Sequence, residues 1–92
     1  MLTAIEAFQL GRQNHITPSN LETLLTILTD PPMKPANISS LTGVTPSATT
    51  GTLDALEKQG WIERVNNRND RRQKLAVPTL KAFEVFQPAI LP

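Results

Sequence analysis

The 92-residue sequence has no cysteine, one histidine and one tryptophan. Without cysteine there is no disulfide framework, no thiolate metal site and no thiol redox sensor, and His15 alone cannot build a metal site. Asp70 and Glu63 are candidate acid-base groups, yet no nucleophile, histidine or metal cluster converges on them. Neither an enzyme nor a cofactor is therefore expected. No apolar run approaches the length of a membrane span, and Met1 to Leu10 lacks a basic leader before an apolar block. These absences predict a cytoplasmic protein with no membrane partner. Charged residues are also sparse at 18%, while the 39% apolar content is periodic, which argues for a folded domain rather than a disordered tail. A chain of this length supports one domain over residues 1–92 with a single modest core, so a partner must bind on its outside.

The few charges are unevenly placed. Residues 1–56 carry two basic side chains against four acidic ones, whereas residues 57–81 carry seven against three. One basic edge is the electrostatic footprint of a protein that neutralises phosphates, although a solvated basic hairpin accounts for the same imbalance.

Helical periodicity organises most of the chain. Leu2, Ile5 and Phe8 mark a short first helix that Gly11 is expected to stop. Thr17-Pro18 is an N-cap and first-turn pair, followed by the apolar stripe Leu21, Leu24, Leu25 and Leu28. Pro31-Pro32 ends that helix, and Met33-Lys34 is expected as a very short strand pairing with a later hairpin. A short helix over residues 35–42 should turn Ile38 and Leu41 inward and close at Gly43. Thr45-Pro46 then opens a helix over residues 46–59 with Thr49, Leu53 and Leu56 on one face and Thr52 beside them. Two helices joined so closely make a helix-turn-helix.

Trp61 to Val65 and Lys74 to Val77 are expected as the arms of a hairpin whose polar tip contains Asn66-Asn67 and Asn69-Asp70. Pro78-Thr79 should break the second arm, and Thr79 should cap a last helix that turns Leu80, Phe83 and Phe86 inward before Pro88. The predicted fold is α+β, mainly α: a winged helix-turn-helix of about five short helices and a small β-hairpin wing. In such folds the second helix enters the major groove of DNA by its N-terminal part.

Over residues 17–86 the chain resembles the MarR family of bacterial transcription regulators. The likeness rests on Ile38, Leu41, Gly43 and Val44, on the run Leu56-Glu57-Lys58-Gln59-Gly60-Trp61-Ile62-Glu63-Arg64, and on Asn69-Asp70-Arg71-Arg72 followed by Thr79. The resemblance implies a homodimer that binds double-stranded DNA, often a repressor released by a small-molecule effector. It further implies a wing arginine in the minor groove, at Arg72, held by the aspartate two residues before it, Asp70. A narrow minor groove does attract a guanidinium, and a nearby carboxylate can pre-orient it. Arg68, Arg71 and Lys74 are then candidates for phosphates, which fix register without reading sequence. Arg64 is a candidate too, but pairing with Glu63 or Glu57 suits it equally. Trp61 is expected as the apolar anchor beneath the hairpin, with stacking on nucleic acid as the alternative.

On the predicted recognition helix, Pro46, Ser47, Ala48, Thr50 and Gly51 form the candidate base-reading face, and none is charged. Hydroxyls and a threonine methyl read bases loosely, and Gly51 stands where family members often have a long or basic side chain. Pro78 and Ala82 also depart from the family pattern. Family members run about half as long again, so residues 1–11 and 80–92 are only candidate dimerisation ends, through Leu2, Ile5, Phe8, Phe83, Phe86, Ile90 and Leu91. The expected function is a sequence-specific DNA-binding regulator with helix 46–59 in the major groove and wing 66–74 at the minor groove. Two other readings share the fold: a winged-helix protein-protein adaptor, and a DNA-binding element of replication or plasmid partition.

Overall fold

The computed structural model describes residues 3–90, with side chains through Phe86. Its elements run α1 (Ala4–Gln13), α2 (Pro18–Thr29), α3 (Pro35–Thr42), α4 (Pro46–Lys58), β1 (Ile62–Asn67), β2 (Asp70–Pro78) and α5 (Leu80–Ile90). The two strands form one antiparallel hairpin, giving the mainly helical winged helix-turn-helix expected from the sequence.

The helix starts follow local chemistry. Thr17 and Thr45 each precede a proline, and their hydroxyls accept from the backbone N–H of Asn20 at 3.3 Å and of Ala48 at 3.2 Å. Each bond satisfies a first-turn donor that the helix itself leaves unpaired. Thr3 and Glu6 form a reciprocal capping box on α1, a signal that sequence reasoning overlooks here. Gly43 closes α3 at φ +74°, where its N–H reaches the Ser39 carbonyl. That left-handed residue turns the chain into α4.

Gly11 does not stop the first helix, which continues to Gln13. It is buried, and a Cβ there would lie 2.8 Å from Cδ2 of Leu21. The glycine lets α1 approach α2 closely, a tertiary requirement that looks like a terminator when only local signals are read.

Ile16, Leu21, Leu24, Ile27, Leu28, Met33, Ile38, Leu53, Leu56, Trp61, Ile62, Ala76, Ala82 and Phe86 make up the core. Two expected members lie outside it. Leu41 is 67% exposed and Leu80 is 73% exposed. In α3 only the turn bearing Ile38 meets the core, and Leu41 is rotated about 60° away from it at the next turn. In α5 the inward stripe is Ala82 and Phe86, with Phe83 and Val85 partly buried beside it. The face is set by Phe86 meeting Trp61 edge-on, with ring centroids 5.6 Å apart, and not by the spacing from Leu80. Helix α5 also continues through Pro88 to Ile90 instead of ending near Phe86. A single proline near a helix end removes one hydrogen bond without forcing a stop. Leu2, Leu91 and the side chain of Ile90 lie outside the described part.

The strands are longer than expected. β1 reaches Asn67 and β2 starts at Asp70, so the turn is only Arg68-Asn69. The polar middle does not prevent pairing, because the ladder bonds join backbone groups and most side chains there are exposed. Pro78 pairs with Ile62 at the far end instead of breaking the arm, as an outer-edge strand terminus allows. The segment at Met33 reduces to a single antiparallel bridge, with both backbone groups bonded to Ala76 at 3.0 and 2.9 Å. It fastens the hairpin base to the connection between α2 and α3.

Candidate nucleic-acid interface

Helix α4 turns Thr49, Leu53 and Leu56 into the core, which leaves Pro46, Ser47, Ala48, Thr50 and Gly51 exposed. The Thr50 hydroxyl donates to the Pro46 carbonyl at 3.1 Å, so its oxygen lone pairs and methyl remain for a partner. Among the described residues no side chain covers Gly51: a Cβ built there meets nothing within 4 Å. The fold does not require glycine at this helical site. Gly51→Ala is therefore expected to raise unfolding stability by about 0.5–1 kcal/mol in a chemical denaturation series, through helix propensity alone.

The wing carries an irregular register. Asn66 pairs with Lys74, but Asn67 pairs with Asp70, so Arg71, Arg72 and Gln73 have no counterpart on β1. The buried Asn67 spans the irregularity: its Nδ2 donates to Gln73 Oε1 at 3.1 Å, and its Oδ1 accepts from the Asn69 N–H at 3.0 Å. Gln73 is thereby held inward, while Arg68, Arg71 and Arg72 are exposed. Asp70 Oδ1 accepts from the Arg72 backbone N–H at 3.0 Å and from its Nε at 3.3 Å. One carboxylate oxygen thus orients both the backbone and the guanidinium of Arg72, whose side chain is otherwise 93% exposed.

Arg72 and Lys74 line one side of an open groove of about 270 Å³, and Thr50 and Leu53 of α4 line the other. Helix and wing therefore share a face. Arg64 also borders the groove, but its guanidinium turns onto α4, lying 2.6 Å from Asp54 and 3.8 Å from Glu57. Of the two carboxylates considered from the sequence only Glu57 takes part, and Asp54 was missed. The sequence carries only a weak signal for it, an acidic pair three residues apart on one stripe of the helix preceding the strand.

Thr79 acts beyond capping. Its hydroxyl donates to the Gly60 carbonyl at 2.7 Å and accepts from the Ala82 N–H at 3.3 Å, and its backbone N–H donates to the Trp61 carbonyl at 3.0 Å. Lys81 adds to this joint, with Nζ 3.1 Å from the Gln59 carbonyl and 4.1 Å from the centre of the Trp61 ring. The end of α4, the start of β1 and the start of α5 are thus pinned together around the anchor Trp61. Among the described residues no group of His, Asp or Glu is arranged to hold a metal ion, and no helix is long and apolar enough to cross a membrane.

The family model for MarR matches residues 16–74. The uncharacterized HTH-type transcriptional regulator YfiV of Bacillus subtilis is 36% identical over 55 residues, which cover 60% of this chain and 34% of that protein. Among solved structures, the transcriptional regulator Tm0710 from Thermotoga maritima superposes with a TM-score of 0.84 at 34% identity, over 94% of this chain and 61% of that one. A mutant MarR from E. coli complexed with operator DNA superposes with a TM-score of 0.80 at 26% identity, over 89% of this chain and 59% of that one. The chain spans about a third of the curated relative and about three fifths of these solved relatives. The matched span holds the helix-turn-helix and most of the wing, and on it the chain belongs to the MarR family of transcriptional regulators.

Proposed function

We propose that this chain is a sequence-specific transcriptional regulator that binds double-stranded DNA, with α4 in the major groove and the wing at the minor groove. The observation that carries the reading is the shared face. The uncovered side of α4 and the Asp70-oriented Arg72 lie across one groove, both open to an outside partner. The operator-bound structure of an E. coli relative supports duplex DNA as that partner over a protein or a different DNA-handling role.

In this reading Pro46, Ser47, Ala48, Thr50 and Gly51 meet base edges, and Arg72 enters the minor groove. Arg68, Arg71 and Lys74 meet phosphates. The base-facing groups are small and neutral, so the wing supplies most of the affinity and the helix supplies a shallow preference. Residues 1–92 act as one domain in the cytoplasm, as a homodimer formed through its ends. Ile5 and Phe8 of α1 and Leu80 of α5 are exposed apolar side chains that such an interface would cover. An effector would find an open cleft of about 750 Å³ where Ile5, Phe8 and Ile16 adjoin Arg12 and His15.

The test is selection from a random duplex library, followed by titration of the recovered duplex at several salt concentrations. Four cations of one chain at the duplex predict that log affinity falls with log salt with a slope of roughly −3 to −4 per chain. Affinity for duplex DNA that is independent of salt would overturn the proposal.

A further inference from the structure

The sequence position of Arg64 groups it with the phosphate-facing cations, yet its surroundings assign it different work. Its Nη1 lies 2.6 Å from Asp54 and 3.8 Å from Glu57, and its Nη2 donates to the Thr50 carbonyl at 3.2 Å. Thr50, Asp54 and Glu57 are spaced i, i+4 and i+7, so one guanidinium spans two turns of a single stripe of α4. The side chain is only 23% exposed. A guanidinium facing two carboxylates and a carbonyl has little uncompensated charge for a phosphate.

The rung from which Arg64 reaches is braced by a third segment. Arg64 pairs with Ala76, and Ala76 is bonded through both backbone groups to Met33, so three chain segments lie side by side there. The target is the weakest part of α4, because Ser47, Thr50 and Gly51 are poor helix formers and Gly51 follows the bonded Thr50. A reader that grips two grooves must hold its helix and wing at a fixed spacing, since a misplacement near 1 Å is enough to spoil a preorganised site.

We propose that Arg64 is a positioning residue that fixes the spacing between α4 and the wing, with Asp54 as its essential partner, and that it is not a phosphate contact. This rests on the duplex-binding reading above and assigns Asp54, an acidic residue, a role in favour of DNA binding. Simple electrostatics predicts the reverse, since removing a negative charge beside a polyanion should tighten binding.

The experiment measures affinity of the wild-type 92-residue chain, Asp54→Asn, Arg64→Ala and the swapped double variant Asp54→Arg with Arg64→Asp. The probes are the duplex recovered by selection and a scrambled duplex, each at several salt concentrations, with a thermal melt of every variant. Asp54→Asn is expected to weaken the selected duplex about threefold to tenfold, the range of an ion pair closed by a backbone hydrogen bond. Its affinity for the scrambled duplex should hold or rise, its salt slope should be unchanged, and the swapped variant should recover most of the loss. An Asp54→Asn variant that binds the selected duplex as tightly as wild type, or more tightly, overturns the inference alone. So does an Arg64→Ala variant whose salt slope falls by about one unit, the mark of a lost phosphate contact. Wild type that binds no duplex in a salt-dependent way overturns the duplex-binding reading itself, and this inference with it.

Discussion

Truncation of Trp61 to alanine is expected to lower the free energy of unfolding by about 3–5 kcal/mol, the cost of deleting a large aromatic from a packed core. The indole is 1% exposed and meets the Phe86 ring edge-on at 62°. It also carries the Lys81 ammonium over its face, and the adjoining backbone is fastened to α5 through Thr79. Removing it opens a void where α4, the hairpin and α5 meet, and the neighbours cannot close it without giving up those bonds. A domain of this size has total stability toward the low end of about 5–15 kcal/mol, so the variant should be largely unfolded near physiological temperature. Urea denaturation followed by circular dichroism checks this. Trp61→Phe should lose markedly less, because it keeps the ring contact with Phe86. A loss below about 1 kcal/mol for the alanine variant would falsify the anchor role.

The second large effect concerns DNA. Arg72→Ala is expected to weaken the selected duplex by about 1–3 kcal/mol, roughly fivefold to 150-fold, and to reduce the salt slope by about one unit. The reason lies in the pre-orientation: Asp70 Oδ1 holds both the Arg72 N–H and its Nε, so the guanidinium loses little freedom on binding. Asp70→Ala should therefore weaken binding as well, through freedom returned to Arg72, while leaving the salt slope near that of wild type. Arg71→Ala should weaken selected and scrambled duplexes alike, as loss of a phosphate contact does. Titration of each variant against both duplexes separates the three outcomes. An Arg72→Ala variant with wild-type affinity and slope would remove the wing from the binding surface.

Much of the fold is legible in the amino-acid order. Thr17-Pro18 and Thr45-Pro46 mark helix starts because the cap and the fixed proline φ act within four residues. Gly43 marks the turn because a left-handed residue suits glycine, and Trp61 follows α4 as the apolar anchor beneath the hairpin. The Leu-Glu-Lys-x-Gly run with Asp-Arg-Arg and Thr behind it points to the family, which the match over residues 16–74 shows.

The misreadings share one cause. Gly11 looks like a stop because its reason, the approach of Leu21, lies on another helix. Leu41 and Leu80 fit an apolar spacing, but short helices meet the core over one turn, and which turn depends on neighbours such as Trp61 and Ile38. The partner of Arg64 cannot be ranked among Glu63, Glu57 and the unconsidered Asp54, since that choice follows from the angle at which β1 leaves α4. The extra residues on β2 that push Arg71 and Arg72 outward are likewise hidden in a polar stretch without alternation.

The amino-acid sequence by itself determined the caps, the order of helices and hairpin, the apolar anchor and the basic wing motif. Each is specified by backbone preferences and side-chain bonds acting over a few residues. The tertiary structure alone decided that α4 and the wing open onto one groove, that Asp54 holds Arg64, and which apolar side chains stay outside. Those outcomes depend on packing between segments distant in the chain, where burial and steric fit outweigh local pattern.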